Sequence, residues 1–486
     1  MSYTLPFEFS LLSNIQENTH PNIICEITSE KDISLLWDMW FNDEIIALVT
    51  SNYKKADDDK EKTLTFYSDD FNATKSIFFF PNNEDIVLER GNFISKREKA
   101  FTYISSEEDV LSLIDTLILS NYSFTQFLSK KPKDKHISLL STATSPVSKK
   151  DVEVRQALLS SIYTARDLVN LPPSKSTPEQ MVSMIQSFPW KNTTLKIMKK
   201  SELEKLWFNL LLAVSYGSDK DPYVVIFERK VDPSLETYAF IGKWVTFDAG
   251  GIQIKPGDAM FDMKCDMAGS AAVIGTMQYL DSMDSLPCNL IGAIGLTENM
   301  TGDAAYKPLD IYTSYNGKTV EIHHTDAEWR LVLADVMGYV EDIYKPEHII
   351  TIATLTGACI YALGYDYAGI IGDDEDVIES LTTLSQDTLE KVWRLPLNKK
   401  IKKSLQWEIA DLKNITKTEK AGSSVGAAFL SYFQWEAKLT HLDIAGPAYR
   451  NDHHGYMPKW GTGWGVNLLS TFFLSNFAKW KNSTQE

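Results

Sequence analysis

The run Tyr238-Ala-Phe-Ile-Gly-Lys-Trp-Val-Thr-Phe-Asp248-Ala-Gly-Gly-Ile-Gln-Ile-Lys-Pro-Gly257 decides the fold class. It opens with an apolar, strand-like stretch, Tyr238–Ile241, and passes into a Gly-containing loop. The chain continues as Asp258-Ala-Met-Phe-Asp-Met-Lys-Cys-Asp266 and enters an Ala- and Gly-rich segment, Ala268–Met283, with helical spacing. Strand, loop and helix in that order form the elementary unit of a parallel sheet covered by helices. Ligands of such sheets bind beyond the carboxyl ends of the strands, where the loop after Asp248 is expected. The pair Gly250-Gly251 allows close backbone approach to something bound there. Asp262 and Asp266 share a face if their stretch is helical.

Outward from this run the same rhythm repeats. Tyr223–Phe227, Asn289–Leu296 and Ile349–Leu355 read as strands, and Arg330–Ile343 as a helix. Residues 151–169 have helical spacing, and Thr177-Pro178 with Gln180 forms a capping box for the next helix. Towards the N-terminus, β-rich runs at Ile45–Val49, Thr63–Tyr67 and Ser76–Phe80 alternate with a helical stretch around Glu107–Leu128. The charge run Lys54–Lys62 reads as a solvated loop. Residues 129–150, rich in Lys, Pro, Ser and Thr with Pro132 and Pro146, read as a linker. The expectation is two α/β domains, each a mixed or mostly parallel sheet flanked by helices. Residues 1–150 form the smaller one with its linker, and residues 151–486 the larger one.

The 486 residues are 44% hydrophobic and 23% charged, which excludes collagen-like, coiled-coil and disordered classes. With 65 Asp+Glu against 48 Lys+Arg the net charge is −17, which argues against nucleic acid and anionic membrane as partners. No basic-then-apolar leader opens the chain, and no apolar run has the length of a membrane span. Cys25, Cys265, Cys288 and Cys359 are scattered, which fits a reducing cytoplasm and buried thiols. Motifs for nucleotide phosphates, zincin chemistry and α/β-hydrolase chemistry are missing. The adjacent pairs His323-His324 and His453-His454 lack metal-ligand spacing and read as surface or supporting residues.

A second acidic cluster, Thr325-Asp-Ala-Glu-Trp-Arg330, follows the strand-like Thr319–Ile322. Extended backbone would point Asp326 and Glu328 to one side. Oxygen ligands gathered from distant segments suit one or two divalent cations, which also neutralise carboxylates that would otherwise repel.

At these segments the chain resembles the leucyl (cytosol) aminopeptidase family of two-metal exopeptidases. The family reads V-G-K-G-x-T-F-D-[ST]-G-G-x-x-I-K-P, then M-K-x-D-M-x-G-A-A-A-V, then N-T-D-A-E-G-R-L-x-L-A-D. Here these are Ile241-Gly-Lys243-Trp-Val-Thr-Phe-Asp248-Ala-Gly-Gly-Ile-Gln-Ile-Lys255-Pro, Met263-Lys-Cys-Asp266-Met-Ala-Gly-Ser-Ala-Ala-Val and His324-Thr-Asp326-Ala-Glu328-Trp-Arg330-Leu-Val-Leu-Ala-Asp335. Supporting stretches include Glu298-Asn-Met300, Thr354-Leu-Thr-Gly-Ala358 and His441-Leu-Asp-Ile-Ala-Gly446. The likeness covers about residues 150–475, in the family's order and spacing.

The resemblance implies Lys243, Asp248, Asp266, Asp326 and Glu328 as ligands of two divalent ions, with Asp248 and Glu328 bridging. Zinc or manganese, and also magnesium or cobalt, serve in the family. Lysine ligates only as the neutral amine, so a dication must lower its pKa. The resemblance further implies Lys255 at the oxyanion, Arg330 holding a bicarbonate that acts as base, and the Leu355 carbonyl positioning a peptide substrate. Met263, Thr354 and Ala445 would line a pocket for an apolar first residue. A cytoplasmic homohexamer is the expected assembly.

Several positions depart from the pattern. Trp244 and Trp329 stand at family glycines, His324 at an asparagine, and Asp303 and Leu309 at glycines after Met300. A bulky side chain is penalised wherever φ must be positive. The alternative reading is therefore a catalytically impaired member kept as an oligomeric scaffold or binding protein.

Overall fold

Apolar strands alternating with helices build two α/β units in the computed structural model, which describes residues 8–12, 22–38, 43–54, 62–66, 75–80, 86–97, 100–130, 136–143, 147–416 and 420–483. One unit comprises Thr4–Ser160 with Asn451–Lys459, and the other Ser161–Arg450 with Trp460–Glu486. Among the described residues no helix is long and apolar enough to cross a membrane.

Among its described residues the N-terminal unit holds six strands: β1 (Glu8–Leu12), β2 (Asn22–Glu26), β3 (Lys62–Phe66), β4 (Lys75–Phe80), β5 (Phe101–Ser105) and β6 (His136–Ser141). They lie in the order β1-β6-β5-β2-β4-β3, parallel except at the β3 edge. Three local expectations are corrected. Ile45–Val49 is not a strand but lies within the helix Asp43–Lys54. Ile45, Ile46 and Val49 are buried at helical spacing, and Asp43 and Glu44 in the first turn with Lys54 in the last suit the helix dipole. The stretch 129–150 is not all linker, because β6 buries Ile137, Leu139 and Leu140 between β1 and β5. Residues 55–61 of the charge run, together with Pro132 and Pro146, lie outside the described residues. The helix around Glu107–Leu128 is shorter, Val110–Leu119, because the Asp109 side chain caps it by accepting from Ser112 N–H.

The larger unit is organised by β7 (Thr194–Lys199), β8 (Tyr223–Arg229), β9 (Thr237–Asp248), β10 (Asn289–Asn299), β11 (Ile311–Thr313), β12 (Thr319–Glu321), β13 (His348–Ala353), β14 (Tyr367–Gly372), β15 (Lys391–Arg394), β16 (Leu412–Lys413) and β17 (Lys438–Asp443). Eight form one sheet, β15-β14-β17-β13-β9-β10-β8-β7, whose central β17, β13, β9 and β10 are parallel. β11, β12 and β16 form a small second sheet. The capping box at Thr177 and Gln180 is present. On one face of the large sheet, the helix Ala268–Asp281 lies so close to β9 that a Cβ at Gly242 would be 2.5 Å from Ser270 Cα. Only small residues permit that approach, and it draws the segment before the helix against β9, where Val245 N–H donates to the Asp266 carbonyl at 3.3 Å.

Candidate active site

The parallel strands end together, and their carboxyl ends carry the polar groups. β9 is a buried strand whose side chains alternate between faces, so Lys243 and Trp244 leave it in opposite directions. Lys243 Nζ lies 2.5 Å from Asp266 Oδ2 and 2.9 Å from Glu328 Oε1. Asp248 closes β9. Its Oδ1 accepts from Gly250 N–H at 2.9 Å and Asn299 Nδ2 at 2.8 Å, while Lys255 Nζ stands 2.9 Å from its Oδ2. Lys255 also reaches Asp326 Oδ1 at 2.5 Å. Asp266 Oδ1 accepts from the Thr354 hydroxyl, just beyond β13, at 2.9 Å.

Local backbone differs from two expectations. Met263–Cys265 is a 3-10 turn flanked by Asp262 and Asp266, not an α-helix presenting both on one face. Asp326 sits in a turn in which Ala327 N–H bonds the His324 carbonyl at 3.3 Å, and Glu328 is the first cap of the helix Trp329–Tyr344. A turn and a helix start, not an extended strand, thus bring both carboxylates inward. Gly250 and Gly251 have φ of 90° and 65°, a region that disfavours side chains. A Cβ on Gly250 would lie 2.9 Å from Asp326 Oδ1, so the glycines bring one acidic loop onto the other. The loops are then tied by Thr325 N–H to Gln253 Oε1 at 2.8 Å and Gln253 N–H to Thr325 Oγ1 at 3.0 Å.

Lys243, Asp248, Asp266 and Glu328 are all buried. Four carboxylates face two ammonium groups, an excess of negative charge in a site of low polarity. Burial, reinforced by neighbouring carboxylates, pushes Asp266 up to about 8 and Asp326 up to about 7. Burial alone would lower Lys243 and Lys255, but the charges of Asp266, Glu328, Asp248 and Asp326 outweigh it and hold both as ammonium. Ligand oxygens of Asp248, Asp266 and Glu328 lie within 4.8 Å of one another. Glu328 Oε2 is buried with no hydrogen-bond partner. Such an oxygen is costly unless a cation or donor meets it.

A cavity of about 250 Å³ adjoins these groups, lined by His324, Asp326, Trp329, Arg330, Leu355 and Val425 among others. Arg330 is buried, which lowers its pKa to about 10. Its guanidinium stacks 4.5 Å from the Trp329 ring centroid and donates to the Asn414 carbonyl at 2.7 Å. His324 Nδ1 accepts from Asp326 N–H at 3.2 Å, and His323 Nε2 pairs with Glu321 at 3.0 Å. Neither Trp244 nor Trp329 has positive φ, and both indoles are buried. Leu309, by contrast, has φ of 74° on the surface. Leu355 N–H donates to Asp443 Oδ1 at 3.1 Å. Asp266 N–H bonds the Met263 carbonyl, and Ala445 N–H donates to the side chain of Asp443, the carboxylate that Leu355 N–H also meets.

Asn299 lies in the supporting stretch Glu298-Asn-Met300 but was given no role, and Asn414 lies in none of the quoted motifs. Asn299 could have been suspected, because it is an amide ending a long apolar strand. Asn414 follows a two-residue strand and gives no local signal.

Residues 163–470 match the model of the cytosol aminopeptidase family, catalytic domain. The chain is 38% identical over 365 residues to a probable cytosol aminopeptidase of Methylobacterium radiotolerans, covering 74% of this chain and 72% of that protein. With the probable cytosol aminopeptidase of Protochlamydia amoebophila the identity is 40% over 380 residues, covering 76% and 75%. In fold it is similar to the bottromycin maturation enzyme BotP in complex with Mn, with a TM-score of 0.80 and 24% identity over 94% of this chain and 99% of that one. The chain belongs to the cytosol aminopeptidase family, whose members are peptide hydrolases.

Proposed function

We propose that this chain removes an apolar N-terminal residue such as leucine from peptides, with two divalent cations held by Lys243, Asp248, Asp266, Asp326 and Glu328. The observation that carries the reading is the convergence of four carboxylates with one buried oxygen, Glu328 Oε2, left without a partner. Carboxylate oxygens with one amine suit manganese or zinc, with magnesium and cobalt as substitutes. BotP, similar in fold, is in complex with Mn. When bound, such ions polarise the scissile carbonyl and supply an activated water.

The protein's own groups do the rest. Asp248 and Glu328 would hold the ions together with Asp266, whose carboxylate Thr354 fixes through its hydroxyl. Lys243 must give up its proton to join the ligand set. Lys255, at the mouth of the cluster, offers an ammonium where negative charge develops on the substrate oxygen. Arg330 presents its guanidinium to the cavity, where the proposed bicarbonate would be held. The Leu355 carbonyl, Met263, Thr354 and Ala445 are the proposed contacts of the substrate's first residue. A cytoplasmic homohexamer remains part of the proposal.

The impaired-scaffold alternative was motivated by strain at Trp244 and Trp329, and neither has the left-handed backbone that would produce it. Release of the N-terminal residue from a leucyl anilide by manganese- or zinc-loaded protein tests the reading. Turnover that survives full chelation would count against it.

A further inference from the structure

We infer that Asn414 is a positioning residue that sets the carboxylate loop and Arg330 together, so that metal affinity depends on it without its touching the metal site. This rests on the proposal that Asp326 and Glu328 bind cations.

The small sheet places it. β16 runs parallel to β12, with Lys413 opposite Glu321, and Asn414 N–H continues the ladder to the Glu321 carbonyl at 3.2 Å. The strands therefore deliver Asn414 beside the turn that leaves β12, the turn that carries Asp326 and ends at Glu328. Its side chain is fully buried and both ends are in use. Oδ1 accepts from His323 N–H at 2.7 Å and His324 N–H at 3.2 Å. Nδ2 donates to the His324 carbonyl at 2.6 Å and reaches the Ala327 carbonyl at 3.5 Å. One amide thus satisfies backbone groups from both sides of Asp326. Its own carbonyl accepts from Arg330 Nη1 at 2.7 Å.

Thr325 is anchored separately, by Gln253, Asn299 and Tyr306. With Asn414, the backbone bearing Asp326 and Glu328 is thus held by two polar networks. Removing the amide takes the acceptor from the partly buried N–H groups of His323 and His324, which the turn relieves by moving its carboxylates. Outer partners of metal ligands cost about 10–100-fold in metal affinity when lost.

The test is direct manganese binding, measured by calorimetric titration of chelator-stripped full-length wild type, Asn414→Ala and Asn414→Ser, with steady-state kinetics at saturating metal. Both variants are expected to bind manganese at least about tenfold more weakly. At saturation kcat per folded molecule, with the folded fraction read from circular dichroism, should fall while KM for a leucyl substrate changes little; the manganese affinity of the folded protein is the readout that general destabilisation does not move. Serine is too short to serve both turn segments and keeps a polar group if alanine fails to fold. Wild-type affinity in either variant that retains a wild-type circular dichroism spectrum overturns the inference. Absence of manganese binding by wild type itself would instead defeat the underlying metal proposal.

Discussion

The indole of Trp329 lies against Gly426 so closely that a Cβ added to the glycine would be 2.6 Å from Cη2 and 2.8 Å from Leu355 Cδ2. A bulky residue beside the carboxylate cluster is thus accommodated by a missing side chain on the helix Gly422–Leu430. Gly426→Ala carries two opposed effects. Helix propensity favours alanine by up to about 1 kcal/mol. Overpacking against the ring and Leu355 costs about 1–3 kcal/mol, and the contact is too short for the smaller term to win. The variant is expected to unfold at lower denaturant concentration than wild type. An unchanged midpoint would show that the indole has room to move.

Lys255 is paired with Asp248 and Asp326 but is not needed to hold their backbone. Lys255→Met is expected to lower kcat by about 100–1,000-fold, the usual cost of removing an oxyanion donor. Metal content, measured by elemental analysis on the same variant, should stay at the wild-type ratio. Loss of metal together with activity would assign the lysine to the ligand cluster instead.

Asp248 receives Asn299 and Gly250 on one oxygen and Lys255 on the other. Replacing it by alanine removes a proposed metal ligand and strands Lys255. Activity is expected to drop by more than about 100-fold, beyond the range for outer-shell partners. Retained turnover in Asp248→Ala at a fixed manganese concentration would remove this aspartate from the site.

A separate pH prediction concerns the other end of the sheet, at the start of β13. His348 Nδ1 lies 2.6 Å from buried Asp374, and its ring stacks on Tyr238. Burial would lower its pKa, but the hydrogen bond and charge of Asp374, with Glu236, raise it above the usual value. A raised histidine stabilises the fold below its unfolded pKa of about 6.5, and that stabilisation disappears as pH climbs through the folded value. Asp374→Asn is therefore expected to cost about 1.5–3 kcal/mol below pH 6.5, with the gap from wild type narrowing in more alkaline solution. Denaturation curves of both proteins across this range check it. A gap that is constant or widens with pH would contradict the pairing.

The carboxylates were legible from sequence because each lies inside a short motif at the end of an apolar strand. Asp248 and Asp266 bracket a loop that the parallel sheet must expose, and Asp326 and Glu328 precede a clear helix. What could not be read was backbone detail. A turn and an extended strand can both point residues two apart inward, and Asp326 and Glu328 converge from a turn and a helix start where an extended strand was expected. Ile45–Val49 failed because a five-residue apolar run fits either a strand or one helix face. Asn414 was invisible for a different reason, since its partners are backbone groups about ninety residues away. The two tryptophans raised an alarm that only φ values and neighbours could quiet.

One sample tests whether hydrolysis by this protein depends on metal. Purified wild type, stripped with chelator and then reloaded with manganese or zinc, is assayed for bound metal and leucyl-peptide hydrolysis at each stage. Hydrolysis is expected to vanish with the metal and to return as two equivalents per chain are restored. Undiminished hydrolysis in the stripped protein, or a fully loaded protein that cleaves no N-terminal residue, would contradict it.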